Sequence, residues 1–104
     1  MNQEPMTENN PRVRAHVWVK GRVQGVGFRA HVEYRARQIG GLTGWVRNVG
    51  YDTVEATVEG ERDKVEKFIE MIKEGPRASR VDEAKVEWEA PTAEFDRFGM
   101  KRSM

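Results

Sequence analysis

The chain has 104 residues, enough for one domain with its own core, and 38% of them are hydrophobic against 34% charged. That is the profile of a folded globular protein rather than a disordered or membrane-spanning one. It contains no cysteine, which excludes a disulfide framework, a thiol nucleophile and a zinc–thiolate site. The net charge is only +1, yet residues 12–47 carry eight Arg or Lys against Glu33 alone, a local +7, while residues 48–104 carry ten bases against fourteen acids. A basic segment of this kind suggests a local site for an anion, with a merely solvated face as the alternative.

In chain order, residues 1–11 are polar and unpatterned, hold Glu4 and Glu8 with no base, and end in Pro11. They read as a flexible tail ahead of one domain over residues 12–104. This N-terminus lacks the apolar core of a signal peptide, and no apolar run approaches the roughly 20 residues of a spanning helix. A cytoplasmic location is the expectation.

From Val13 the chain alternates, with Val13, Ala15, Val17 and Val19 on one face and Arg14, His16, Trp18 and Lys20 on the other, the pattern of a half-buried strand. The glycine-rich stretch from Gly21 to Gly27 breaks it. Phe28, Val32, Ala36 and Ile39 then recur at helical spacing, closed by Gly40 and Gly41. Leu42 to Asn48 reads as a second strand and Val54, Ala56 and Val58 as a third, joined by a hairpin with Gly50 and Asp52 as turn residues. Val65, Phe68, Ile69 and Ile72 lie at i, i+3, i+4 and i+7 of a second helix, with Glu61 and Asp63 at its start and Gly75 and Pro76 at its end. Val81 to Glu89 is a fourth strand, and Phe95 to Lys101 is a short fifth. The order βαββαβ plus a trailing strand, with one apolar face per helix, predicts an α+β, ferredoxin-like sandwich: two helices on one face of an antiparallel sheet.

The turn between the first strand and the first helix carries the chemistry. Gly21, Gly25 and Gly27 permit positive φ and close approach of a ligand, and the first amides of the helix carry partial positive charge. Successive amides in such a turn form a nest for phosphate or carboxylate oxygens. Arg29, just inside the helix, offers a planar fork of donors to the same group. The plain alternative is a tight turn that needs glycine for packing, with Arg29 in solvent. Gly25, Gly27 and Ala30 satisfy G-x-G-x-x-A, but about one hundred residues cannot supply two mononucleotide-binding halves, and a hairpin follows the helix where a parallel strand is needed. A Walker loop is excluded because no Gly-Lys-Ser or Gly-Lys-Thr occurs.

The stretch Val19-Lys20-Gly21-Arg22-Val23-Gln24-Gly25-Val26-Gly27-Phe28-Arg29 resembles the acylphosphatase signature loop nearly position for position. Gly44-Trp45-Val46-Arg47-Asn48 is similar to that family's second motif, and Val54-Glu55-Ala56, Glu59-Gly60 and Phe98-Gly99-Met100-Lys101 match its layout. The resemblance spans about residues 12–102. One departure stands in the hairpin: Asp52 takes the place of the usual glycine, and Gly50 comes two residues earlier.

The resemblance implies hydrolysis of acyl phosphates to carboxylate and inorganic phosphate. The loop amides of Gly21, Arg22, Val23, Gln24, Gly25, Val26 and Gly27, together with Arg29, would bind phosphate, and Asn48 would orient the attacking water. No pair of His, Asp or Glu has metal-ligand spacing, so no metal or cofactor is expected, and the expectation is a monomer with no nucleic-acid or membrane partner. Taken alone, Asn48 before a glycine-containing turn reads first as a turn residue, an order that the resemblance reverses. His16 and His31 are expected on the surface, and Trp18, Trp45 and Trp88 in sheet packing.

Two rival readings keep the scaffold. An RNA-recognition module would use Arg14, His16, Trp18 and Lys20 on the open sheet face, but Glu55 and Glu59, with Glu87 and Glu89, share that face and repel a phosphate backbone. A non-catalytic anion sensor would keep the loop and lack the chemistry.

Overall fold

The computed structural model describes residues 11–104. The proposed tail thus lies outside the described residues except for Pro11, whose carbonyl accepts the Arg62 amide at 2.9 Å. The order is β1 (Arg12–Arg22), α1 (Phe28–Ile39), β2 (Thr43–Val49), β3 (Thr53–Glu61), α2 (Arg62–Glu74), β4 (Arg80–Glu89) and β5 (Phe98–Met100). The strands form one sheet in the order β4-β1-β3-β2-β5, the ferredoxin-like arrangement with a fifth strand added. The four long strands pair antiparallel, and β5 joins the edge parallel to β2, with Gly44 opposite Phe98 and Val46 opposite Met100.

Alternation in β1 sends Ala15, Val17 and Val19 into the core, all fully buried. They meet Val54, Ala56 and Val58 of β3, Phe28, Val32 and Ala36 of α1, and Val65, Phe68 and Ile72 of α2. Burial of each such aliphatic or aromatic side chain contributes about 1.5–3 kcal/mol, and the apolar stripe of each helix has no other surface to cover. Both helices therefore lie on the same side of the sheet. The Phe68 and Phe98 rings, 5.4 Å apart, close the core between α2 and β5.

Two local expectations change. The first strand does not end at Lys20: the ladder with β4 shifts register between Lys20 and Gly21 and continues to Arg22 opposite Arg80. A bulge absorbs the glycine without ending the pairing. The fifth strand is confined to Phe98–Met100.

The opposite sheet face is occupied by an ion-pair network. Glu59 is fully buried and accepts the Thr92 and Ala93 amides at 2.9 Å, the Thr92 hydroxyl at 3.0 Å and Arg14 at 3.1 Å. Burial opposes its charge, but the two amides, the hydroxyl and the Arg14 guanidinium outweigh that and hold the carboxyl below its ordinary range. Glu55 is held low in the same way: burial works against it, and Arg47 at 2.8 Å and His16 at 2.5 Å prevail.

Candidate active site

The turn between β1 and α1 keeps its amides unspent. Gly25 and Gly27 both take left-handed backbone, with φ of 76° and 74°, where a side chain is unfavourable. No backbone amide from Val23 to Gly27 donates to another backbone carbonyl among the described residues. The N-cap residue of α1 is Gly27, which makes no side-chain cap bond, and the first helical bond runs from His31 N to Gly27 O at 3.0 Å. The amides of Phe28, Arg29 and Ala30 thus precede the helical ladder, as at any helix start. This end of α1 carries partial positive charge, and no acidic residue lies in its first turn to offset it.

A cavity of about 280 Å³ opens here. Its walls are Val23, Gln24, Gly25 and Gly27 of the turn, Phe28, Arg29 and Ala30 of the first helical turn, Asn48 from the end of β2, and Met100 of β5. Arg29 and Asn48, 19 positions apart in the chain, therefore face one space. Gly21, Arg22 and Val26 lie outside its walls. Gly21 spends its amide on the Asp52 carbonyl at 2.9 Å, Arg22 belongs to the β1–β4 ladder, and Val26 packs against the core. Met100 is a wall residue that sequence reasoning did not single out. Its only signal was membership of the Phe98–Lys101 stretch, because its position against the turn arises from the β2–β5 pairing.

The electrostatics of this cavity suit an anion. Arg29 is the one charged wall residue, and no described carboxylate pairs with it within ion-pair distance, whereas Arg14, Arg37, Arg47, Arg62 and Arg80 are each paired. The contrast is the larger groove of about 560 Å³ between α2 and β4, rimmed by Asp63, Glu66 and Glu70 against Lys67 alone, beside Trp88, a net negative lining that disfavours an anion.

Asn48 sits in β2 opposite Val54, and its carbonyl accepts the Met104 amide at 2.9 Å. The hairpin that follows accommodates Asp52 because the left-handed position is taken by Gly50, with φ 62°. Gly50 thus serves where the resemblance led one to expect a glycine at position 52. His31 is half-buried and lines no part of the cavity; burial and then the Arg35 charge lower its pKa. His31 and His16 both differ from the surface position expected for them, and His16 is the more engaged. It is half-buried, stacked on Trp18 with ring centres 3.9 Å apart and bonded to Glu55.

An acylphosphatase family model matches residues 15–100. The acylphosphatase of Roseiflexus sp. (strain RS-1) is 49% identical over 81 residues, spanning 78% of this chain and 86% of that protein. Among solved structures, an acylphosphatase from Bacillus subtilis superposes with a TM-score of 0.80 at 34% identity, covering 86% of this chain and 98% of its own. One from Coxiella burnetii gives a TM-score of 0.80 at 35% identity, covering 97% and 100%. Family model, relatives and solved structures agree over most of the chain, and the chain belongs to the acylphosphatase family.

Proposed function

We propose that this chain hydrolyses the carboxyl–phosphate bond of acyl phosphates, releasing a carboxylate and inorganic phosphate. The observation that carries the reading is the shared cavity of unpaired turn amides, Arg29 and Asn48. The phosphoryl group lies against the amides of Val23 to Ala30, with the Arg29 fork on its equatorial oxygens. Phosphoryl transfer through a loose transition state needs chiefly in-line positioning and stabilisation of charge on those oxygens.

Asn48 offers one acceptor and two donors to a water. Water oxygen forms the new bond to phosphorus as the bond to the acyl oxygen breaks, and the leaving carboxylate takes the electron pair. A carboxylate has a reference pKa near 4, so it departs without a general acid. No wall residue can accept the water's proton at neutral pH, and that proton passes to a phosphate oxygen of the substrate. No step calls for a metal or cofactor.

The anion-sensor alternative shares the cradle and differs only in turnover. Hydrolysis of benzoyl phosphate by the wild type separates the two. Asn48→Ala is expected to lower kcat by about 10²-fold while inorganic phosphate inhibits competitively with a nearly unchanged constant, since the cradle recognises the group that substrate and product share. Wild-type turnover retained in Asn48→Ala would refute the water-positioning role. The RNA-binding alternative is poorly supported by the open face: Arg14 is tied to Glu59, Glu89 and Glu94, and Trp18 is covered by His16 and Lys85.

A further inference from the structure

Gln24 lies in the middle of the phosphate turn, yet its side chain does not stay there. Its amide nitrogen donates across to the β2–β3 hairpin, to the Thr53 carbonyl at 2.9 Å, the Gly50 carbonyl at 3.2 Å and the Val49 carbonyl at 3.3 Å. Two N–H groups thus serve three converging carbonyls, an arrangement that only a primary amide or a cation of the right length can satisfy. These carbonyls begin at the residue immediately after Asn48.

The two partners of this tether are unequally supported. The turn is fixed at both ends by regular structure, the β1–β4 ladder before it and α1 behind it. The hairpin is anchored at its base by the β2–β3 ladder and by the Gly50 amide on the Met104 carbonyl at 3.3 Å, but its tip is exposed, with Tyr51 87% accessible, and on the side of the turn it is held by the Gln24 amide, the Gly21–Asp52 bond and the Lys20–Asp52 pair at 3.9 Å. Releasing the tether therefore relaxes the hairpin more than the cradle.

We infer that Gln24 is a positioning residue: its side chain fixes the hairpin, and through it Asn48, relative to the bound phosphoryl group. This rests on the reading of Asn48 given above. An in-line displacement is sensitive to displacements of about 1 Å, so a tether that sets the distance between water-holder and phosphate acts on kcat rather than on phosphate binding.

The test combines a double-mutant cycle with hydrogen exchange. Gln24→Ala, and Gln24→Met as an uncharged variant of similar length without N–H donors, are expected to lower kcat for benzoyl phosphate by about tenfold, with the inhibition constant of inorganic phosphate nearly unchanged. In an Asn48→Ala background the same changes are expected to lower kcat by no more than about twofold, because there is no longer a positioned amide to misplace. Amide exchange from Gly50 to Thr53 is expected to accelerate in both Gln24 variants. Equal losses in the two backgrounds, an unchanged kcat, or unchanged hairpin exchange would each overturn the inference. Absence of turnover in the wild type would instead overturn the functional reading, and the exchange measurement would still decide whether the tether holds the hairpin.

Discussion

Arg29→Ala is expected to lower kcat/KM for benzoyl phosphate by about 10³-fold, close to 4 kcal/mol of transition-state stabilisation. Removal of one preorganised donor costs on the order of 10²- to 10³-fold in sites that stabilise developing charge. Arg29 supplies two donors and the only full positive charge in the cavity wall, which places it at the upper end. Inorganic phosphate should bind at least about tenfold more weakly, since a hydrogen bond to a charged group contributes about 1.5–3 kcal/mol. Arg29→Lys should recover less than about tenfold of the lost rate, because a point charge cannot engage two oxygens in a plane. Steady-state kinetics with circular dichroism as a control for folding decide the matter. Equal activity in wild type and Arg29→Ala would remove Arg29 from the reaction.

The second large effect concerns stability. Glu59→Ala is expected to destabilise the fold by about 3 kcal/mol at pH 7, the lower end for breaking a buried charged pair. It leaves the Thr92 and Ala93 amides without an acceptor, although Arg14 keeps Glu89 and Glu94. At about 4–8 °C per kcal/mol for a domain of this size, the midpoint falls by roughly 12–24 °C. The sign with pH follows from the folded carboxyl lying below its ordinary range. Its contribution is fully present above the unfolded value near 4.3 and is lost as pH falls through the lower folded value. The difference between wild type and variant should thus be smaller at pH 3 than at pH 7. Glu55 shifts the same way, so the variant keeps part of its acid sensitivity. A difference in melting temperature independent of pH would show that the lost charge is not the cause.

Much of this fold is legible from periodicity. Ala15, Val17 and Val19 alternate, and Val65, Phe68, Ile69 and Ile72 repeat at helical spacing, because each pattern has one apolar face and only one way to bury it. Arg29 and the turn were legible because three glycines and an arginine between a strand and a helix form a local unit. What alternation could not show is depth. It places Glu55 and Glu59 on the open face, but the segment that buries Glu59, Thr92–Ala93, comes more than thirty residues later. The same reason hides the His16–Glu55 pair, 39 residues apart. The parallel pairing of β5 with β2 was not legible either, since three residues carry no signal of direction. The reach of Gln24 to the hairpin left no trace, because its partners are main-chain carbonyls, which every residue possesses.

The strand order has a consequence for how this protein comes to work at all. The turn of the proposed phosphate site leaves β1, and Asn48 lies near the end of β2, yet these strands are not neighbours: β3, made later in the chain, lies between them. A chain in which β1, α1 and β2 had formed but β3 had not inserted would hold the turn, Arg29 and Asn48 and yet have no cavity. Catalytic competence is therefore a property of the finished sheet. During refolding, turnover should return only after the non-local pairing of β1 to β3, so that the reaction itself reports closure of the middle of the sheet.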